Sequence, residues 1–438
     1  MYRARGRLAG GLCLGAALLL SGCASYSQRF DAIEAQLAAG NPSAALQALE
    51  KDHGGSRRDE VLYQLNRALL LRMQGEYRQS NEALEQAKRL IDELDAVSVS
   101  EQTGSLTVND TLKSYIGTDF ERALLHVYAA LNYLQLGQPD EARVEILQLD
   151  VLLKLQADGE GDGYTEDAFA RYLSGLVFEQ LGEWSDAMIA YRRAYQDYRK
   201  YRQYFGVEPP RSLGLALLRM AEHLGLKEEL RQYRKAFAIE QWTPLPALRE
   251  KGEVVLIIGT GLAPSKREES TAILAPEVGG MVRVSLPRYE TRPQPVGKVR
   301  LLVGEAREAA ELVEDIDAIA IKTLQAEMPA ITARALARAV VKYRAAREAG
   351  KHDQGLGLLV NIAGFISEQA DTRSWSTLPQ RIYLARRFLP PGRHDISVRL
   401  LGRAGQVLAQ KQFTGVAIEA GDKVYLSWRW IPPRLGGR

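Results

Sequence analysis

From residue 26 to about residue 240, apolar side chains recur at intervals of three and four, the spacing that gathers them on one face of a helix. Beyond Trp242-Thr243-Pro244-Leu245-Pro246 the period changes. Residues 253–259 form a short β-branched run without alternation, as expected of a strand buried on both faces. Residues 281–287 and 297–303 alternate, which predicts half-buried strands. Helical spacing returns over residues 309–328. A second helix is predicted to open at Pro329, a residue favoured in the first turn, and to run to about residue 349. A third covers roughly residues 355–368. Strands resume at 380–389, 394–401, 406–418 and 423–431, with Pro390-Pro391-Gly392 and Ala420-Gly421-Asp422 as turns. In the last strand Val424, Leu426, Trp428 and Trp430 fall opposite Tyr425, Ser427 and Arg429.

The helical half is punctuated regularly. Gly40, Gly75, Gly137 and Gly182 each stand where one helix ends and another starts, as a residue with positive φ would. Residues 169–195 place Tyr172, Gly175, Phe178, Gly182, Trp184, Ala187 and Ala194 much as the tetratricopeptide pattern alternates small and large positions. Gly175 and Ala187 are expected to let paired helices approach closely. Residues 97–118 read as an extended insertion. The expected fold class is a multidomain α+β chain: an all-α, tetratricopeptide-like array, then a β-sandwich of immunoglobulin or transthyretin kind with a helical insertion. The boundaries are a leader over 1–22, repeats over 23–240, a linker over 241–252, and the β domain over 253–438, its insertion at about 309–368.

The leader sets the address. Arg3, Arg5 and Arg7 precede a short apolar run that ends in Leu20-Ser21-Gly22-Cys23. That run is too short to span a bilayer permanently. The Leu-Ser-Gly-Cys ending resembles the bacterial lipobox, which implies lipidation of Cys23 and a stable, multiply acylated anchor. Ala24 follows rather than Asp, which favours the outer membrane and places the body on its periplasmic face. The two cysteines are Cys13 and Cys23, so the mature body has no thiol left for a disulfide. Once Arg3, Arg5 and Arg7 leave with the leader, 54 basic residues face 54 acidic ones. That neutrality argues against nucleic acid as a partner.

Catalytic signatures are scarce. The five histidines are scattered, and no H-E-x-x-H, C-x-x-C, G-x-S-x-G or Walker A spacing occurs. Gly259-Thr260-Gly261 follows a strand, but Pro264 breaks the helix a dinucleotide loop would need. No cofactor and no metal are expected. The candidate binding residues are therefore non-catalytic. Tyr191, Tyr195 and Tyr198 belong to a helical tyrosine stripe that either binds a partner or packs on the next helix pair. Lys266 follows the first strand of the β domain. Arg334 and Arg338, with Lys342, form a basic row that is either solvated or turned to an acidic partner. Asp371, Arg373 and Trp375 lie in Ala370-Asp371-Thr372-Arg373-Ser374-Trp375, where an Asp371–Arg373 ion pair or an Asx turn is expected. This segment serves as a latch between insertion and sandwich, as a ligand pocket, or, least economically, as a site built on Ser374.

Several motifs together resemble an uncharacterised family of bacterial lipoproteins with tetratricopeptide-like repeats. They are Tyr115-Ile116-Gly117-Thr118-Asp119-Phe120-Glu121-Arg122, Ala130-Leu131-Asn132-Tyr133-Leu134, Ala142-Arg143-Val144-Glu145, Gly261-Leu262-Ala263-Pro264, Thr332 to Arg338, and residues 370–375 with Leu378-Pro379. The resemblance implies association with activator lipoproteins of peptidoglycan synthases and assigns no catalytic residue. The expected function is a non-enzymatic scaffold or regulator of envelope assembly, binding envelope proteins through its repeats. The alternative is a lipoprotein that binds a small ligand or glycan through its C-terminal half. The sequence leaves the oligomeric state open.

Overall fold

The computed structural model describes residues 26–53, 56–101, 113–158, 167–276, 280–352 and 369–434. Cys23 and its leader lie outside them, as do the predicted helix over 355–368 and the middle of the predicted insertion at 97–118. That insertion begins later than expected, because the helix before it continues to Glu101.

Ten helices make up the first half of the described chain: α1 (Tyr26–Ala38), α2 (Pro42–Asp52), α3 (Glu60–Met73), α4 (Tyr77–Glu101), α5 (Asp119–Gln135), α6 (Pro139–Asp158), α7 (Ala168–Gln180), α8 (Trp184–Phe205), α9 (Arg211–His223) and α10 (Lys227–Phe237). They pair in sequence as five hairpins. Each hairpin turns through a glycine with positive φ: Gly40, Gly75, Gly137, Gly182 and Gly225. Four of these were legible as punctuation; Gly225 was not. Close approach is visible in the fourth hairpin, where a Cβ on Gly175 would sit 2.2 Å from the Tyr191 ring.

A short helix α11 (Leu245–Leu248) leads into the β half. Its strands are β1 (Gly252–Thr260), β2 (Ser265–Ala275), β3 (Gly280–Glu290), β4 (Val296–Val303), β5 (Ala306–Asp315), β6 (Arg381–Leu389), β7 (Gly392–Gly402), β8 (Val407–Ile418) and β9 (Lys423–Trp430), with helix α12 (Ile316–His352) between β5 and β6. Seven strands form one hydrogen-bonded sheet in the order β8-β7-β4-β5-β6-β1-β9, and β2-β3 form a separate ribbon. The expected sandwich implied two sheets joined by loops. Here the two halves are continuous through β5, which pairs with β4 over residues 306–310 and with β6 over residues 311–315, the latter with a register shift between Leu312 and Glu314. Both halves bury one face in a common core of Val254, Leu256, Ile258, Val299, Leu301, Tyr383, Val398 and Leu400.

Two boundaries differ from expectation. Residues 309–315 are strand, not helix, because their apolar members are claimed by the sheet. Pro329 lies inside α12 rather than at the start of a new helix. It removes one backbone donor from the helix without ending it. The distal part of α12 packs Ala335 and Ala339 on Ala275, Val282 and Val284 of the ribbon.

The two halves of the chain share a core. Val255 and Ile257 of β1 point away from the sheet's own core and join Trp375, Leu378, Ile382 and Leu384 against the helices. Strand β1 is thus buried on both faces, as its unbroken apolar run predicted.

Candidate functional site

The candidate site is the junction where the helical array meets the β domain. Its anchor is the segment 370–380. Asp371 accepts from the Arg373 backbone N–H at 2.9 Å, the expected Asx turn, and pairs with the Arg373 guanidinium at 2.7 Å. Both readings of this pair hold together. The same guanidinium reaches Asp59 at 3.2 Å and donates to the Lys113 carbonyl at 2.9 Å, both in the helical half. Burial pushes its pKa down, but hydrogen bonds and charge from Asp371 and Asp59 outweigh that and raise it. Trp375 is 1 % exposed; its backbone N–H donates to Glu121 and its ring meets the edge of Tyr128. Thr377 N–H donates to Asn66 at 3.1 Å. The segment is a latch, yet it fastens the β domain to the repeats rather than the insertion to the sandwich. Ser374 is buried within it.

A buried charge cluster lies elsewhere in the junction. Arg386 of β6 contacts Glu179 of α7 at 2.8 Å and Glu253 of β1 at 2.5 Å. Lys423 of β9 reaches the same two carboxylates at 3.3 and 3.1 Å. Burial alone would raise Glu179, but Arg386, Lys423 and the Tyr191 hydroxyl outweigh it and hold its pKa at about 2. Two anions and two cations in one dry site balance each other, and removing one member leaves an uncompensated charge.

The tyrosine stripe belongs to this packing and not to a free face. Tyr191 and Tyr198 are fully buried. The Tyr191 hydroxyl donates to Glu179, and the Tyr198 hydroxyl donates to the Val313 carbonyl at 3.0 Å. Tyr195 packs on Tyr233 and Phe237 of the next hairpin. Of the two readings of this stripe the structure shows packing: the rings stabilise helix–helix and helix–sheet contacts. Lys266 is buried with its ammonium over the Tyr289 ring. Arg338 is buried and Arg334 partly so, so the basic row is not simply a solvated face.

What the junction leaves open is a cleft of about 680 Å³. Its walls come from the α1–α2 and α3–α4 turns, from Tyr128 of α5, and from Lys411, Phe413, Ser427, Trp428, Arg429 and Trp430 of β8 and β9. These strands are the two edges of the sheet. A four-residue turn joins them between Ile418 and Lys423. Arg72 of α3 donates to the Asn132 side chain and, at 3.2 Å, to the Ser427 hydroxyl, with its guanidinium over Tyr77 and Tyr128. Arg429 donates to the Thr377 and Leu378 carbonyls at 3.2 and 3.1 Å. Its Nε and Nη1 are shielded and have no acceptor among the described residues. Burial lowers the pKa of both guanidiniums, that of Arg429 to about 10. Sequence reasoning placed Arg429 opposite the apolar positions of its strand but gave no sign of a cleft. Arg72, Tyr77 and Tyr128 carried no local signal at all.

Three of the motifs singled out in the sequence, residues 115–122, 261–264 and 370–378, meet at this junction. Tyr115 stacks on Arg373, Glu121 holds Trp375, and Ala263 N–H donates to the Leu378 carbonyl at 2.8 Å. No protein-family model matches the chain, and no curated protein matches it. Among solved structures, a crystal structure of MamA aligns at TM-score 0.31 and 15 % identity, covering 46 % of this chain and 90 % of that one. MamA from Desulfovibrio magneticus RS-1, from residue 41 to its end, aligns at TM-score 0.31 and 13 % identity, covering 48 % and 89 %. Similarity of this size carries no argument about what the chain does.

Proposed function

We propose that this chain is a non-enzymatic, lipid-anchored adaptor that docks envelope proteins on the periplasmic side of the outer membrane, near peptidoglycan assembly. The lipobox at residues 20–23 supports the address. Stacked helical hairpins supply the extended surfaces that such arrays use for binding. The observation that carries the reading is the cleft at the junction. A shared core and a charged latch weld array and sheet into one body, and still leave this concavity open along a sheet edge. Concave sites between structural units are where ligands and partners are preferentially received.

Photo-crosslinking in intact cells tests it. A crosslinking residue at Lys411 or Gln74, both in the cleft wall, is expected to trap a discrete envelope protein. Absence of adducts at both positions, with normal membrane association, would refute the adaptor reading. The alternative, a small-ligand or glycan receptor, draws on the same cleft, since Lys266 and Trp375 are buried.

A further inference from the structure

We propose that the cleft is a receptor for an oxyanion, a carboxylate or phosphate group received between Arg72 and Arg429; this rests on reading the cleft as the chain's binding surface. Three lining side chains are cationic, Arg72, Lys411 and Arg429, and none is acidic. Elsewhere in the junction buried cations meet carboxylates: Arg386 has Glu179 and Glu253, and Arg373 has Asp371 and Asp59. The cleft departs from that pattern. Among the described residues its two guanidiniums have only neutral acceptors: an amide, a hydroxyl and two backbone carbonyls.

Geometry places the two groups together. Arg72 donates to Ser427, and Ser427 and Arg429 are two apart on one strand, hence on one face about 7 Å apart. Tyr128 lies beneath Arg72 and is the charge neighbour of Arg429. A partly buried cation without a counter-charge is costly, and an entering anion lowers that cost. Guanidinium forks match the planar edge of a carboxylate or the oxygens of a phosphate, often with two hydrogen bonds at once. The aromatic wall around them suits a flat or apolar body behind the charged head. Lys411 stands exposed on the β8 edge, where it can draw an anion in but not clasp it.

The experiment uses the full mature chain in detergent at fixed ionic strength. Phenyl phosphate, phenylacetate and the neutral phenylacetamide are titrated by calorimetry and by tryptophan fluorescence. At least one anionic probe is expected to bind with single-site saturation, about tenfold or more tighter than phenylacetamide. Preference for phenyl phosphate identifies a phosphoryl ligand, and preference for phenylacetate a carboxylate one. Arg429→Gln is expected to weaken that binding about tenfold or more, with Arg429→Lys intermediate. Lys411→Ala, on the exposed rim, keeps the test decisive if an arginine variant fails to fold; it is expected to reduce the salt dependence of binding. Equal binding of anionic and neutral probes overturns the oxyanion assignment and leaves the cleft a binding surface. Failure of every probe while crosslinks at Lys411 persist overturns it alone. Failure of both overturns the cleft reading as well.

Discussion

The Trp375 backbone N–H donates to the Glu121 carboxylate at 2.7 Å, joining the β domain's latch to the first turn of α5. Glu121 stands at the third helical position, and its other oxygen accepts from Thr118 N–H at 2.8 Å and from the Tyr115 hydroxyl at 2.5 Å. One side chain therefore caps a helix and holds a domain. Glu121→Gln keeps the shape but loses the charge behind these buried bonds. It is expected to cost about 2–4 kcal/mol in urea unfolding. A cost below about 0.5 kcal/mol, the range of an ordinary surface substitution, would show that the bonds contribute nothing.

Arg373→Lys tests the latch from the other side. A lysine cannot serve Asp371, Asp59 and the Lys113 carbonyl together, so about 2–3 kcal/mol should be lost. Limited proteolysis is expected to cut within residues 370–380 in the variant and to spare the wild type.

Gly175→Ala introduces a Cβ 2.2 Å from the Tyr191 ring. Tyr191 is fixed by its bond to Glu179 and cannot retreat without disturbing the charge cluster. Destabilisation of about 1–3 kcal/mol follows from the overpacking. A thermal midpoint equal to wild type would mean that the helices separate without cost.

Stability should pass through a maximum in mildly acidic solution. Glu179 has a folded pKa of about 2 against an ordinary 4.5, so its contribution is full above 4.5 and is lost as pH falls towards 2. Asp167 and Asp317 behave oppositely. Burial lifts Asp167 to about 6 against the bond from Ala170, and Asp317 to about 7 against the bond from Gln380. The folded state then binds more protons than the unfolded one between about pH 4 and 7, so stability declines across that window. Asp317→Asn is expected to flatten the neutral limb, and Glu179→Gln to remove the acid limb at a cost of about 3–5 kcal/mol. Unfolding midpoints measured from pH 2 to 8 check both. A neutral limb unchanged in Asp317→Asn would rule out the assignment.

Cys23→Ser is expected to abolish incorporation of labelled palmitate and to move the chain from the membrane to the soluble fraction. Unchanged labelling or fractionation in the variant would place the anchor elsewhere.

Local order decides most of what was legible. Helical spacing, turn glycines and the β-branched run at 254–258 express backbone and solvent preferences acting within a few residues, so the hairpins and β1 could be read directly. Even the Asp371–Arg373 turn was visible, because its partners are two residues apart. Residues 309–315 misled because alanine, leucine and valine fit either period, and only pairing with β4 and β6 makes them strand.

The sequence by itself determined a helical repeat array, a β-rich second half and the residues able to form a charged turn at 371–373. The tertiary structure decided which of these face each other. It buried Tyr198 against the sheet, carried the latch to Glu121 254 residues away, and set Arg72 beside a strand 355 residues distant. Burial and charge compensation are properties of neighbours in space. A chain records its own residues, but which ones share a dry, low-dielectric site is settled only when both halves close on one core.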